Sequence, residues 1–349
     1  MLSTLPKWAI AGLAFPLVAL NGWLLYQLGG LLQPVPSIVV TASLVAFLID
    51  YPIRVLEKRT RSRGWATALV LLTVLALAIV LVVFLAPLVW KQLNDFAEGL
   101  PGLIERGKNE LLLLSDRPFI QNAPVDFEQV TVDAANRLSA SLQSATSQVI
   151  NVTLSTINST LNLLVTLVLS ILLILNGGNL WNGLLGWLPM TLQTELRNAL
   201  QPSFQGYFSG QATLALILTI AQSIVFMLLD VPYGLLFGIV IGLASLIPFG
   251  GSIAVLGISL LLAFQTPALG LQVLVVAATL GQINDNIIAP RLIGGVTGLN
   301  PAVVVVVLLV GAKFAGFLGL LLAVPTASVI KKVADALRSP TASAPASSN

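Results

Sequence analysis

The chain has 349 residues, of which 56% are hydrophobic and only 9% charged, and its mean hydropathy is +0.95. A soluble chain carries about 25% charged residues, so this composition implies a polytopic, all-α membrane bundle of about eight hydrophobic segments. With no cysteine and no histidine, thiolate and imidazole metal sites, His-ligated haem, Ser-His-Asp or Cys-His catalysis and disulfides are excluded.

No G-x-x-x-x-G-K-[ST] nucleotide loop occurs, and no cofactor or metal site is expected. Nothing resembles a nucleophile with its base, so an enzyme is the least attractive reading. The sequence pI of about 9.3 comes from Lys and Arg clustered beside apolar runs. There they act as topological signals and not as a nucleic-acid surface.

In chain order, residues 8–32 read as a first, uncleaved span. Pro34 and Pro36 follow, then a shorter apolar run, 37–50, ending at Asp50 and Pro52. Residues 54–63, RVLEKRTRSR, hold Arg54, Lys58, Arg59, Arg61 and Arg63 against Glu57. Such a basic loop is expected on the cytoplasmic side, which also places the N-terminus there; contact with anionic lipid is its plainest role. Residues 65–90 form the next span, closed by Pro87 and Trp90, so that 1–90 is an N-terminal membrane unit.

The segment 91–150 is polar and mildly acidic, and is expected outside the cytoplasm. Val130, Leu138, Leu142, Ala145 and Val149 recur at near-helical spacing, predicting a helical hairpin broken around 117–124. A fourth span, about 154–175, returns the chain, and 179–208 is amphipathic, with Trp181 and Trp187, as suits an interfacial helix. Together 151–208 form a third region.

A C-terminal core, 209–338, differs in kind. Leu214–Leu229 crosses and stops at Asp230-Val231-Pro232. Gly234, Gly238 and Gly242 make a small-residue stripe that admits a close helix neighbour. Pro248, Gly250 and Gly251 interrupt the apolar stretch 235–264, a break tolerated in a bilayer only where it is buried in protein or lines a cavity. Another span, 268–288, runs into GQINDNIIAPRLIGGVTGLNP, residues 281–301.

This last segment brings Gln282, Asn284, Asp285, Asn286 and Arg291, with Pro290, Gly294 and Gly295, close to where lipid belongs. Ionisable groups at that depth are functional candidates by default. Residues 301–330 would be roughly 45 Å long as one helix, more than one bilayer. A second break, or a hairpin, is therefore predicted where Gly311, Lys313, Gly316 and Gly319 fall. Lys331, Lys332 and Arg338 close the last span, and 339–349 is a Ser/Ala/Pro tail expected to be disordered. Eight full crossings, or six with two re-entrant hairpins, both leave the two termini on the cytoplasmic side. Paired interrupted helices around a polar site are a transporter signature.

Several blocks then resemble the autoinducer-2 exporter family of bacterial transport proteins: Gly206-Tyr207, Gly210-Gln211, Val231-Pro232-Tyr233, Leu246-Ile247-Pro248-Phe249-Gly250-Gly251, Gln282-Ile283-Asn284-Asp285-Asn286, Pro290, Leu299-Asn300-Pro301, Gly316-Phe317-Leu318-Gly319 and Ala323-Val324-Pro325. The resemblance implies an inner-membrane permease, oligomeric, with members that export a quorum signal or exchange sodium for protons. Two departures from the pattern matter. Phe249 and Gly251 stand where the family often has tyrosine and proline, and Asn300 stands where a histidine is common, which removes proton coupling through that position.

The expectation is secondary transport, as export, of a small polar solute coupled to a cation or proton gradient. Asp285 is the coupling carboxylate, since burial can raise a carboxylate's pKa into a useful range. Asn284, Asn286 and Gln282 are neutral hydrogen-bonding partners, and Arg291 attracts the solute or pairs with Asp285. Lys313 is either a further binding group or a snorkelling side chain. The alternatives are a sodium/proton antiporter, a non-transporting scaffold presenting 91–150 to a partner, and, for Asp285 with Arg291, a structural cap or ion pair.

Overall fold

The computed structural model describes residues 34–60, 62–115, 160–292 and 298–338, with isolated positions within 16–27 and 137–144. Every regular element among them is helical. The helices are α1 (Val35–Thr60), α2 (Arg63–Ser115), α3 (Thr160–Leu185), α4 (Met190–Leu228), α5 (Gly234–Ala244), α6 (Gly250–Ala263), α7 (Pro267–Ile283) and α8 (Pro301–Arg338). Helix α7 runs on through a π-helical turn, Asn284–Ile288, into Ala289–Leu292. Among the described residues, five helices are long and apolar enough to cross a membrane. Only 6% of the most apolar stretch of α2 is buried, so its Leu, Val and Phe side chains face outward, as lipid-facing surface does.

Several boundaries differ from the sequence expectation. Helix α1 extends through Arg54, Lys58 and Arg59, which leaves only a short turn in the basic stretch. Arg54 and Arg63 both reach Asp50, at 2.5 and 3.5 Å, and Arg63 also donates to the Ile174 carbonyl of α3 at 3.3 Å. Pro87 and Pro101 do not end α2, because a proline removes one backbone bond and a long apolar helix absorbs the bend. The amphipathic stretch 179–208 is not one separate helix: its first residues complete α3, which ends at Leu185, and residues 190–208 begin the 39-residue α4. The break expected around 117–124, most of the first span and the tail 339–349 lie outside the described residues.

The C-terminal core is built from two helical hairpins laid on α4. The first is α5 and α6. The stripe Gly234, Gly238, Gly242 presses directly on Phe226, Ser223 and Thr219 of α4, in antiparallel order. The chain then breaks at 245–249 and returns as α6, so that Ile241 of α5 shares a buried cluster with Val255, Ile258 and Leu262 of α6. At 11 and 14 residues the arms are about 16 and 21 Å long, too short for a hydrocarbon core of about 30 Å.

The second hairpin is α8. Ala315 (φ −140°, ψ 22°) and Gly316 (φ 56°, ψ −131°) leave helical geometry, and Gly311 and Gly319 meet backbone to backbone, so closely that a Cβ on either would overlap the other's carbonyl. In a straight helix they would stand about 12 Å apart. The interruptions predicted at 248–251 and 311–319 are therefore both hairpin turns.

The hairpins enter from opposite ends of α4. The first leaves its C-terminal end, beside Phe226, and its tip reaches Gln211, whose Nε2 donates to the Ser245 carbonyl. The second runs toward the N-terminal end of α4: Val324 packs with Tyr207 and Phe208, and Lys332 donates to Ser203 Oγ at 2.9 Å. Ile247, in the first tip, packs into this second cluster. The far half of α2 braces the first hairpin: Gln92 Oε1 accepts from the Leu236 N–H at 2.9 Å, and Tyr233 donates to the Asp95 carbonyl at 3.2 Å. Gln92 thereby satisfies one of the free N–H groups at the start of α5.

Candidate functional site

A cavity of about 470 Å³ lies where the first hairpin tip, α4 and α7 meet. Its polar wall is made by Gln211 and Gln222 of α4, Ser245 and Pro248 of the tip, Ser252 at the start of α6, and Gln282, Asn284 and Asp285 of α7. Leu214, Leu218, Ile241, Val255 and Leu274 supply the apolar remainder. A mostly apolar hollow with a few converging polar groups is the usual form of a small-molecule site.

Two local departures from helical geometry create it. At the tip, Ser245 Oγ donates to Gly242 O at 2.6 Å and Gln211 holds the Ser245 carbonyl, so the end of α5 is capped by side chains. Phe249 sits in the left-handed region (φ 67°, ψ −12°) with its side chain 52% exposed. Gly250 follows because a Cβ there would overlap Ala244 O.

In α7 the widened turn carries the N–H of Ala289 back to the carbonyl of Asn284, five residues earlier. Pro290 supplies the reason: it has no N–H, and its ring displaces the carbonyl one turn before it. The helix relaxes by widening, as π-bulges at functional sites do. Asn284 is thereby turned inward, 4% exposed, and donates Nδ2–H to Asp285 Oδ1 at 3.2 Å. Asp285 itself is exposed along the cavity wall.

The structure brings together Gln282, Asn284 and Asp285, with Pro248 and Gly251, and leaves the other candidates apart. Asn286 points to a separate groove along the outer face of α7, where its Nδ2 donates to Gln282 Oε1 at 2.7 Å. Arg291 and Lys313 are exposed and line neither hollow. No ion pair joins Asp285 and Arg291. Gly316 and Gly319 form the second hairpin turn, away from the cavity wall, while Gly294 and Gly295 lie outside the described residues. Asn300 caps α8, its Oδ1 accepting the Ala302 N–H at 2.9 Å ahead of Pro301.

Sequence reasoning missed Gln222, Ser245 and Ser252, and did not assign Gln211 a role. Gln222 was findable, since one amide in the apolar run Leu214–Leu229 is itself an intramembrane polar residue.

The profile of the AI-2E family transporter matches residues 13–339. The chain belongs to this family. It is 37% identical over 342 residues to the protein named "Putative transport protein sll0063" of Synechocystis sp., covering 97% of this chain and 87% of that one. It is 35% identical to "Putative transport protein sll0060" of the same organism, over 93% of this chain and 95% of the relative. Against "Putative permease PerM" of Escherichia coli K12 the identity is 25%, over 90% and 89%. The chain is thus a multi-pass membrane transport protein, and the resemblance read from its motifs holds over nearly its whole length.

Proposed function

We propose that the protein is an inner-membrane secondary permease that moves a small polar solute through the cavity between the first hairpin tip and the π-turn of α7, with Asp285 as the coupling carboxylate. The observation that carries this reading is the cavity itself: a broken helix and a widened helix meet there and place one carboxylate among otherwise neutral polar groups. Half-helix ends and freed backbone groups near mid-bundle are how secondary transporters hold solute and ion.

In this reading Asp285 takes up a proton or cation, Asn284 positions it, and Gln211, Gln282, Ser245 and Ser252 hydrogen-bond the solute. The tip at 245–251 is the moving wall. Export as the direction, a homo-oligomeric assembly and cytoplasmic termini belong to the same proposal and rest on the family resemblance and the charge pattern. Arg291 and Lys313 have no direct part, because neither lines the cavity.

The test is flux in proteoliposomes of the purified protein and its Asp285→Asn variant, under imposed proton or sodium gradients, with a panel of small hydroxylated solutes. The expected result is gradient-dependent solute flux that falls to background in the variant. Unchanged flux in folded variant removes Asp285 from the coupling role. Gradient dissipation without any solute moves the reading to cation/proton antiport. A scaffold role for 91–150 is not separable by deletion alone, because Gln92 and Asp95 support the first hairpin.

A further inference from the structure

Two oxygens in the cavity wall have no task in the fold. Gln222 is fully buried, and its Nε2 donates to the Ala277 carbonyl at 3.0 Å. That bond sets the amide's orientation, and Oε1 is left buried with no hydrogen-bond partner. Asn284 repeats the pattern: Nδ2 donates to Asp285, and Oδ1 is buried and unpartnered. A buried acceptor without a donor is destabilising. Where such groups are kept inside an apolar bundle they mark a ligand path.

Their spacing narrows the ligand. Ala277, which anchors Gln222, and Asn284 are seven residues apart on α7, two turns on one face and about 10 Å along the axis. Along α7 the stretch between them lines the cavity with Ala278 and Gly281, Leu218 and Val255 belong to the same wall, and the stretch's one polar lining residue, Gln282, has its Oε1 already engaged by Asn286. A hard cation gathers about six or more oxygens in one shell, and two neutral amide oxygens fall well short of that number. A dicarboxylate brings acceptors to acceptors. A hydroxyl or N–H at each end of an apolar body satisfies both amides.

We infer that Gln222 and Asn284 are the two ends of a recognition site for an elongated, uncharged solute with a hydrogen-bond donor at each end and an apolar middle. This rests on the permease reading above and specifies its solute class. Asp285 stays outside the recognition step, as the group that couples it.

The test is binding of simple α,ω-diols to the purified full-length protein in detergent, followed by calorimetry or by the ligand-induced rise in thermal unfolding. The probes are 1,6-hexanediol, 1,3-propanediol, 1-hexanol and adipate. The expected order places 1,6-hexanediol about tenfold tighter than each of the others, the worth of one well-made buried hydrogen bond. Gln222→Met, close in volume, should bring 1,6-hexanediol down to the level of 1-hexanol while leaving 1-hexanol unchanged. Asn284→Leu should do the same, and the chain-length series in the unsubstituted protein decides the matter if either variant fails to fold.

Equal binding of the diol and the mono-alcohol, preference for adipate, or undiminished diol binding in folded Gln222→Met each overturns the inference. Absence of diol binding alongside Asp285-dependent flux of another solute overturns it and leaves the permease standing. Selective diol binding without any flux does the reverse.

Discussion

The two hairpins of the C-terminal core carry similar sequence marks, glycines and a proline in an apolar run, yet use them differently. In the first, the glycines 234, 238 and 242 face α4, so the hairpin is fastened to its neighbour and its tip turns slowly, over 245–249. That slow turn places Ser245, Ile247, Pro248 and Phe249 in the cavity wall. In the second, Gly311 and Gly319 face each other. The arms are fastened to one another, and the reversal takes only Ala315 and Gly316. Where a glycine stripe points thus decides whether a broken helix becomes a cavity wall or a closed structural prong.

Substitutions on each stripe sharpen this contrast. Gly319→Ala should have the largest effect, because its Cβ would overlap the Gly311 carbonyl, and two backbones cannot yield as a side chain can. A loss of about 3 kcal/mol is expected, read as a lowered unfolding midpoint in detergent; a near-silent result would mean the arms do not touch. Gly242→Ala should cost less, about 1–2 kcal/mol. Its Cβ meets Thr219 Oγ1, which can rotate away by giving up its 2.8 Å bond to Ala215 O, whereas the Thr219 Cβ at 2.7 Å and the Ala215 carbonyl at 3.0 Å require a small shift of the arm. In flux assays this variant should impair transport more than its stability loss explains, since it displaces the arm that ends at the cavity.

Phe249→Gly should be the smallest change and of opposite sign. It releases left-handed strain at a residue whose ring is 52% exposed, with an expected gain of about 1 kcal/mol. A loss instead would show that the ring holds the tip in place.

Much of this arrangement was legible residue by residue. The breaks at 248–251 and 311–319 follow from Pro and Gly in runs too long or too apolar to be otherwise interrupted. The Asn-Asp-Asn cluster stands out because charge inside an apolar chain is costly. The mutual placement was not legible. Asn284, Asp285 and Asn286 are consecutive, yet the π-turn sends Asn284 into the protein and Asn286 to an outer groove. Helical periodicity already sets residues two apart on different faces, but it does not say which of the two faces the protein. Arg291 and Lys313 stood beside Asp285 as candidates because they are ionisable residues among apolar ones, but neither lines the cavity. Gln222 looked like one polar residue in a span and proves to be the most buried polar group of its wall.

The sequence by itself determined the solvent, the class of structure and the places where helices must break, since hydropathy, proline and glycine act locally. It also determined the family, through motifs spread from residue 206 to residue 325. Only the tertiary structure decided that the broken segments fold back as hairpins from opposite ends of α4. The tertiary structure alone decided too that one tip, and not the other, meets α7 across a polar cavity. These outcomes depend on which surfaces of distant segments fit together at glycine contacts, and a glycine stripe marks where a neighbour can approach without saying which segment that neighbour is.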